Sequence, residues 1–126
     1  MMPAPRPLRI LVVDDEPTVV ALVHRSLAEA GYDVLLAQSA IEALEVLVMI
    51  RPLVDAVLTD VRMPEMDGGE LAATLRQAHP NLPILFMSGF PGGSTVAGPL
   101  LAKPFTTDQL LSAVAELLLA QPPSVT

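Results

Sequence analysis

Six side chains able to bind a cation or a phosphoryl group stand at the ends of short apolar runs. Asp14, Asp15 and Glu16 follow "LRILVV"; Asp60 closes "LVDAVLTD"; Ser88 closes "LPILFMS"; Lys103 closes "LLAK". Taken singly, an Asp after a strand is a helix cap or a turn residue. Gathered together, carboxylates repel one another, and some must protonate unless a cation joins them. Oxygen-rich acidic sites suit Mg²⁺, which keeps waters and phosphate oxygens among its ligands; Mn²⁺ is the alternative. A lysine and a hydroxyl beside such a cation complement a phosphoryl group, one as a point charge and the other as a donor. The chemistry this suggests is phosphoryl transfer onto a carboxylate oxygen.

These side chains converge only if the runs are parallel strands joined by helices. Leu8 to Val13 lacks alternation, which suits a strand buried on both faces of a parallel sheet. Pro17 fits a first helical turn, Val20, Val23, Leu27 and Ala30 follow at helical spacing, and Gly31 supplies a stop. A second strand runs from Asp33 to Ala37, and Ser39 with Glu42 forms a capping box for a helix through about Met49. The third strand spans 53–60, "VRMPEMDGG" is a loop, and Glu70 to Gln77 is a short helix weakened at its start by Gly68 and Gly69. A fourth strand, a brief fifth strand and a last helix capped by Thr107 complete the chain, with Leu110, Val114, Leu117 and Leu118 on one helical face. Strands alternating with helices predict an α/β sandwich with right-handed crossovers. Ligands of such sheets bind beyond the C-terminal ends of the strands.

The length of 126 residues fits one domain over 1–126, with a core of about 8–119 and a Pro-rich lead and a tail that fray. With 52% hydrophobic and 17% charged residues the chain is a packed globular one. Its apolar runs fall far short of the roughly 18 residues that span a bilayer, so no membrane insertion is expected. The N-terminal segment is no signal peptide and there is no cysteine, which makes a soluble cytoplasmic protein the expectation. A net charge of −7 argues against direct nucleic-acid binding.

The segments "ILVVDDEP", "LTDVRMPEMDG", "ILFMSG" and "LAKPF" resemble the signature segments of the response-regulator receiver domain (the CheY-like family). The resemblance runs from about Leu8 to Leu119. It implies a flavodoxin-like (βα)5 three-layer sandwich with a five-stranded parallel sheet of order 2-1-3-4-5. It also implies that Asp60 is the phosphoacceptor, followed by Met63, Pro64, Asp67 and Gly68 of the family pattern. Asp14 and Asp15 match the acidic pair that positions Mg²⁺, with Asp60 and the backbone carbonyl of Arg62 completing the protein ligands. Ser88 matches the hydroxyl that moves to the phosphoryl group and Lys103 the family's lysine, with a cis bond to Pro104. The implied donor is a sensor histidine kinase or a histidine phosphotransfer protein, and the implied output is a conformational change read by a downstream protein. Such a domain catalyses its own phosphorylation and dephosphorylation and is no conventional enzyme. The chain stops just after the last helix, so a stand-alone domain is expected.

Two features depart from the family pattern. Between Ser88 and Leu100 lie 11 residues rich in glycine and proline, where a crossover with its helix needs at least about 10–12. Gly and Pro disfavour a helix by about 1 and about 3 kcal/mol, so the fourth helix is expected to be absent or rudimentary. Gly89, small and next to Ser88, leaves a phosphate accessible. Leu100 stands where the family usually has a Tyr or Phe that changes rotamer on phosphorylation, so this coupling is expected to differ. Loss of a helix uncovers part of a sheet face, and the side of the fourth and fifth strands is expected to be a homodimer interface or a partner surface. In the alternative, the segment folds flat and Phe90, Val96 and Leu100 plug the gap.

Competing readings are a degenerate receiver that acts as a phosphorylation-independent interaction module, and an FMN binder, which the phosphate-repelling "DDEP" turn disfavours. His24 and His79 are expected at the surface or as caps. Glu16 either assists the metal through water or faces the dipole of the first helix. Arg62 is expected at the mouth of the site as a modulator of phosphoryl hydrolysis, with a solvated arginine as the alternative.

Overall fold

The computed structural model describes residues 6–49, 54–89, 96 and 98–120. In chain order the elements are β1 (Arg9–Val13), α1 (Pro17–Glu29), β2 (Asp33–Ala37), α2 (Ala40–Met49), β3 (Ala56–Asp60), α3 (Gly68–Ala78), β4 (Ile84–Ser88), β5 (Leu100–Ala102) and α4 (Thr107–Leu119). The strands form one sheet of order β2-β1-β3-β4-β5, and every pairing is parallel. This is the flavodoxin-like arrangement expected from the sequence.

Burial grades from the centre of the sheet to its edges. β3 and β4 are buried at every residue, whereas β2 and β5 are mostly half-buried or exposed. A central strand covered on both faces has no solvent side for polar residues, which is why these runs show no alternation. The pleat still divides them. Ile10 and Val12 of β1 join Leu58 and Met87 under α1 and α4, while Leu11 and Val13 join Val57 and Phe86 under α2 and α3. Each buried Leu or Phe in these layers contributes about 1.5–3 kcal/mol.

Several boundaries shift from the sequence reading. Residues 50–53 lie outside the described ones, and Asp55 turns the chain into β3 at Ala56. Its carboxylate accepts from the Arg9 amide at 2.7 Å and from Arg6. α3 starts two residues early, at Gly68, because Asp67 and Glu70 form a reciprocal capping box that offsets the weakness of the glycines. The cap of α4 is Thr106, not Thr107: Thr106 accepts from the Gln109 amide at 3.1 Å, and Thr107 instead bonds Ser26 of α1 at 2.9 Å. Ser39 does accept from the Glu42 amide at 3.0 Å.

Of the crossover between β4 and β5, residues 90–95 and 97, including Phe90, lie outside the described ones. The described remainder, Gly89, Val96, Gly98 and Pro99, contains no helix. Val96 and Leu100 pack half-buried against the α2/α3 side of the core, as the flat-lying version of the segment requires. Among the described residues no helix is long and apolar enough to cross a membrane.

Candidate functional site

β1, β3 and β4 run parallel and end at the same edge, so register alone brings their terminal residues together. Val13 is opposite Thr59, Asp60 is opposite Met87, and Ser88 is opposite Ala102. The turns after the strands are tied to that edge. The Val61 amide donates to the Met87 carbonyl at 3.0 Å and the Lys103 amide to the Ser88 carbonyl at 2.8 Å. The second bond locks the two ends of the shortened crossover to each other. α3 approaches closely: the Gly68 amide donates to the Val61 carbonyl at 2.9 Å, and a Cβ on Gly68 would fall on the Asp60 carbonyl oxygen. Only glycine lets this helix begin directly behind Asp60. The Lys103–Pro104 bond is cis, and Phe105 beyond it inserts into the core under α1 and α4.

The carboxylates of Asp14, Asp15 and Asp60 each place an oxygen within 4.8 Å of the others. Asp14 is wholly buried, Asp60 is 6% exposed and Ser88 is 2% exposed. Lys103 Nζ answers this cluster. It donates to Asp14 Oδ2 at 2.9 Å and to Glu16 Oε1 at 2.9 Å, and lies 3.4 Å from Asp60 Oδ2. One ammonium thus faces several acids. Burial, then the neighbouring Asp14 carboxylate, push Asp60 up to about 6, with Asp15 adding and Lys103 opposing. Burial works against the Lys103 ammonium, but hydrogen bonds to Asp14 and Glu16 and the charges of Asp14 and Asp60 outweigh it. Its pKa is held above the ordinary lysine value. An all-oxygen donor set of two buried carboxylates and one exposed, which stays electron-rich even with its lysine in place, fits a small hard cation such as Mg²⁺.

Asp15, Glu16, Asp60, Ser88 and Lys103 line one cavity of about 710 Å³ with Arg62, Gly89, Val19, Leu22 and Phe105 among its walls, while Asp14 lies buried beneath it. Every side chain named from the strand ends reaches this edge, and Arg62 is exposed at the cavity wall. His24 and His79 are exposed and do not line the cavity. Leu100 lies one strand away, half-buried and paired with Phe86 in register. Sequence reasoning missed the Glu16–Lys103 contact. Glu16 is the N-cap residue of α1, yet its side chain makes no cap hydrogen bond and turns to the lysine instead. It also missed Asp67 and Thr106 as caps, which the spacing to Glu70 and Gln109 would have revealed. The remaining acids at the sheet are spent elsewhere: Asp33 and Asp55 pair with Arg9 and Arg6 at the opposite end.

The family model described as the response regulator receiver domain matches residues 10–115. Response regulator MprA of Mycobacterium sp. (strain KMS) is 41% identical over 119 residues, covering 89% of this chain and 51% of the relative. MprA of Mycobacterium leprae (strain TN) is 39% identical over 118 residues, covering 88% of this chain and 51% of the relative. The chain therefore spans about half the length of the curated relatives it matches. A response regulator receiver protein from Sinorhizobium medicae WSM419 superposes with a TM-score of 0.79 at 32% identity, covering 92% of this chain and 98% of that one. The chemotaxis protein CheY4 of Vibrio cholerae superposes with a TM-score of 0.78 at 29% identity, covering 89% and 99%. With sheet order, strand-end chemistry and a family match over most of its length in agreement, this chain belongs to the response regulator receiver domains of two-component systems.

Proposed function

We propose that Asp60 accepts a phosphoryl group from the phosphohistidine of a sensor histidine kinase or histidine phosphotransfer protein. The observation that carries this reading is the meeting of three carboxylates with a single lysine ammonium at the open edge of the sheet. A carboxylate oxygen of Asp60 bonds to phosphorus as the phosphorus–nitrogen bond of the donor breaks, and the imidazole nitrogen leaves with the electron pair. With its pKa near 6, Asp60 is mostly ionised at neutral pH and free to attack. Lys103 offsets charge on the transferred oxygens, and the Ser88 hydroxyl donates to one of them. Asp14, Asp15, Asp60 and the backbone carbonyl of Arg62 would hold Mg²⁺ or Mn²⁺, which supplies charge neutralisation between the carboxylates and the phosphoryl group. Gly89 leaves the approach open, and Arg62 at the rim tunes the attack of water that returns Asp60 to its carboxylate.

Phosphorylation adds about two negative charges at this edge and biases a two-state equilibrium read by a downstream protein. Leu100 has neither hydroxyl nor ring, so the signal leaves through the short β4–β5 segment rather than through an aromatic rotamer. Incubation with acetyl phosphate and Mg²⁺ tests the reading by mass spectrometry. One phosphoryl group is expected on the wild type and none on Asp60→Ala. Labelling that survives Asp60→Ala would sink the assignment.

A further inference from the structure

β3 is apolar except for its last two residues, Thr59 and Asp60. The pleat turns Thr59 to the same face as Val57, into the apolar layer under α2 and α3, where it is wholly buried. A valine would have the same shape there, and burying a hydroxyl is costly unless it is hydrogen-bonded. The Thr59 hydroxyl donates to the Asp60 carbonyl at 3.0 Å. β1 stops pairing with β3 at Thr59, so this carbonyl lies past the last rung of that ladder. The other end of the same peptide, the Val61 amide, donates to the Met87 carbonyl at 3.0 Å, and the Val61 carbonyl accepts from the Gly68 amide at 2.9 Å. Three hydrogen bonds thus hold the stretch that leads from Asp60 to Arg62. Two come from backbone groups and the third from the Thr59 side chain.

We propose that Thr59 is a positioning residue of the site. Its hydroxyl fixes the plane of the Asp60–Val61 peptide, and with it the Asp60 carboxylate on one side and the Arg62 carbonyl on the other. A buried carbonyl stripped of its donor carries a penalty, which is relieved when the peptide rotates toward solvent at the open edge of the sheet. That rotation takes both groups out of line with Asp14 and Asp15. This inference rests on the reading of Asp60 and the Arg62 carbonyl as cation ligands.

The test compares wild type with Thr59→Val and Thr59→Ala, which lack the hydroxyl, and with Thr59→Ser, which keeps it. Amide exchange of Val61 is followed by NMR in chelator, Mg²⁺ affinity is measured by calorimetry at neutral pH, and stability by urea unfolding. The two variants without a hydroxyl are expected to exchange the Val61 amide faster and to bind Mg²⁺ more weakly, each by about two- to tenfold, the worth of one hydrogen bond. Thr59→Ser should match wild type in both, even where its missing methyl lowers the urea midpoint. A lower midpoint in Thr59→Val and Thr59→Ala with unchanged Mg²⁺ affinity would make the hydroxyl merely structural and overturn the proposal. Thr59→Ser binding as weakly as the other two would trace the effect to packing and overturn it as well. Val61 exchange equal in all four proteins refutes the clamp itself. A wild type that binds no Mg²⁺, with Val61 exchange changed as expected, removes the cation reading and leaves the clamp standing.

Discussion

Asp60→Asn is expected to stabilise the metal-free protein at neutral pH, because the aspartate is held charged where its surroundings disfavour charge. Burial and the Asp14 carboxylate raise its pKa from 3.8 to about 6. In a group whose folded pKa is raised, the native state binds its proton more tightly than the unfolded chain does. The associated stability is fully present below pH 3.8 and is lost as pH rises through about 6. A rise of about two units corresponds to roughly 3 kcal/mol, so the wild type carries a penalty of that order at pH 7 that the neutral amide avoids. For a domain of this size that is a shift of roughly 10 °C in Tm. Thermal unfolding followed by circular dichroism in chelator, at about pH 7.5 and about pH 4, reads it directly. The variant should be more stable at the higher pH, and the gap should close at the lower one, where the wild-type carboxyl is mostly protonated. Adding Mg²⁺ at neutral pH should narrow the gap from the wild-type side. A gap of equal size at both pH values, or a less stable variant near neutrality, would refute the reasoning.

Other consequences follow from the same geometry. Lys103→Met removes a group that lowers the Asp60 pKa, so the carboxyl should titrate above 6 in an NMR titration; a lower or unchanged midpoint would contradict this. Gly68→Ala forces a Cβ onto the Asp60 carbonyl and to 3.1 Å from Val61 Cα. Overpacking against backbone should cost about 1–3 kcal/mol despite the better helix propensity of alanine, and a urea midpoint like that of wild type would show that α3 can slide. Binding of Mg²⁺, measured by calorimetry, should weaken about tenfold per unit below about pH 6, as a proton must leave Asp60 first; an affinity independent of pH would place the cation elsewhere.

Much of the architecture was legible because the polar groups punctuate uniform apolar runs. Leu8 to Val13 and "ILFM" lack alternation, which left a two-sided parallel sheet as the consistent reading, and each run ends on an acid or a hydroxyl. The ends of the helices were less legible. Gly68 and Gly69 suggested a weak start for α3, but Asp67 and Glu70 satisfy each other's amides and begin the helix earlier. Two adjacent threonines were indistinguishable by type, and the choice of Thr106 over Thr107 depended on which hydroxyl faced Ser26 across the α1–α4 interface.

By itself the sequence determined which groups reach the site, since parallel strands of equal polarity deliver their last residues to one edge whatever the details of packing. It also determined that the β4–β5 connection is short and poor in helix formers. Tertiary structure alone decided how those groups share charge. Asp14 and Glu16 are separated by one residue, yet one is wholly buried and the other largely in water. Only the closing of the sheet, through the Lys103 amide on the Ser88 carbonyl, puts a lysine within reach of both. Electrostatic roles depend on distance and desolvation, and neither quantity is written in the order of residues along the chain.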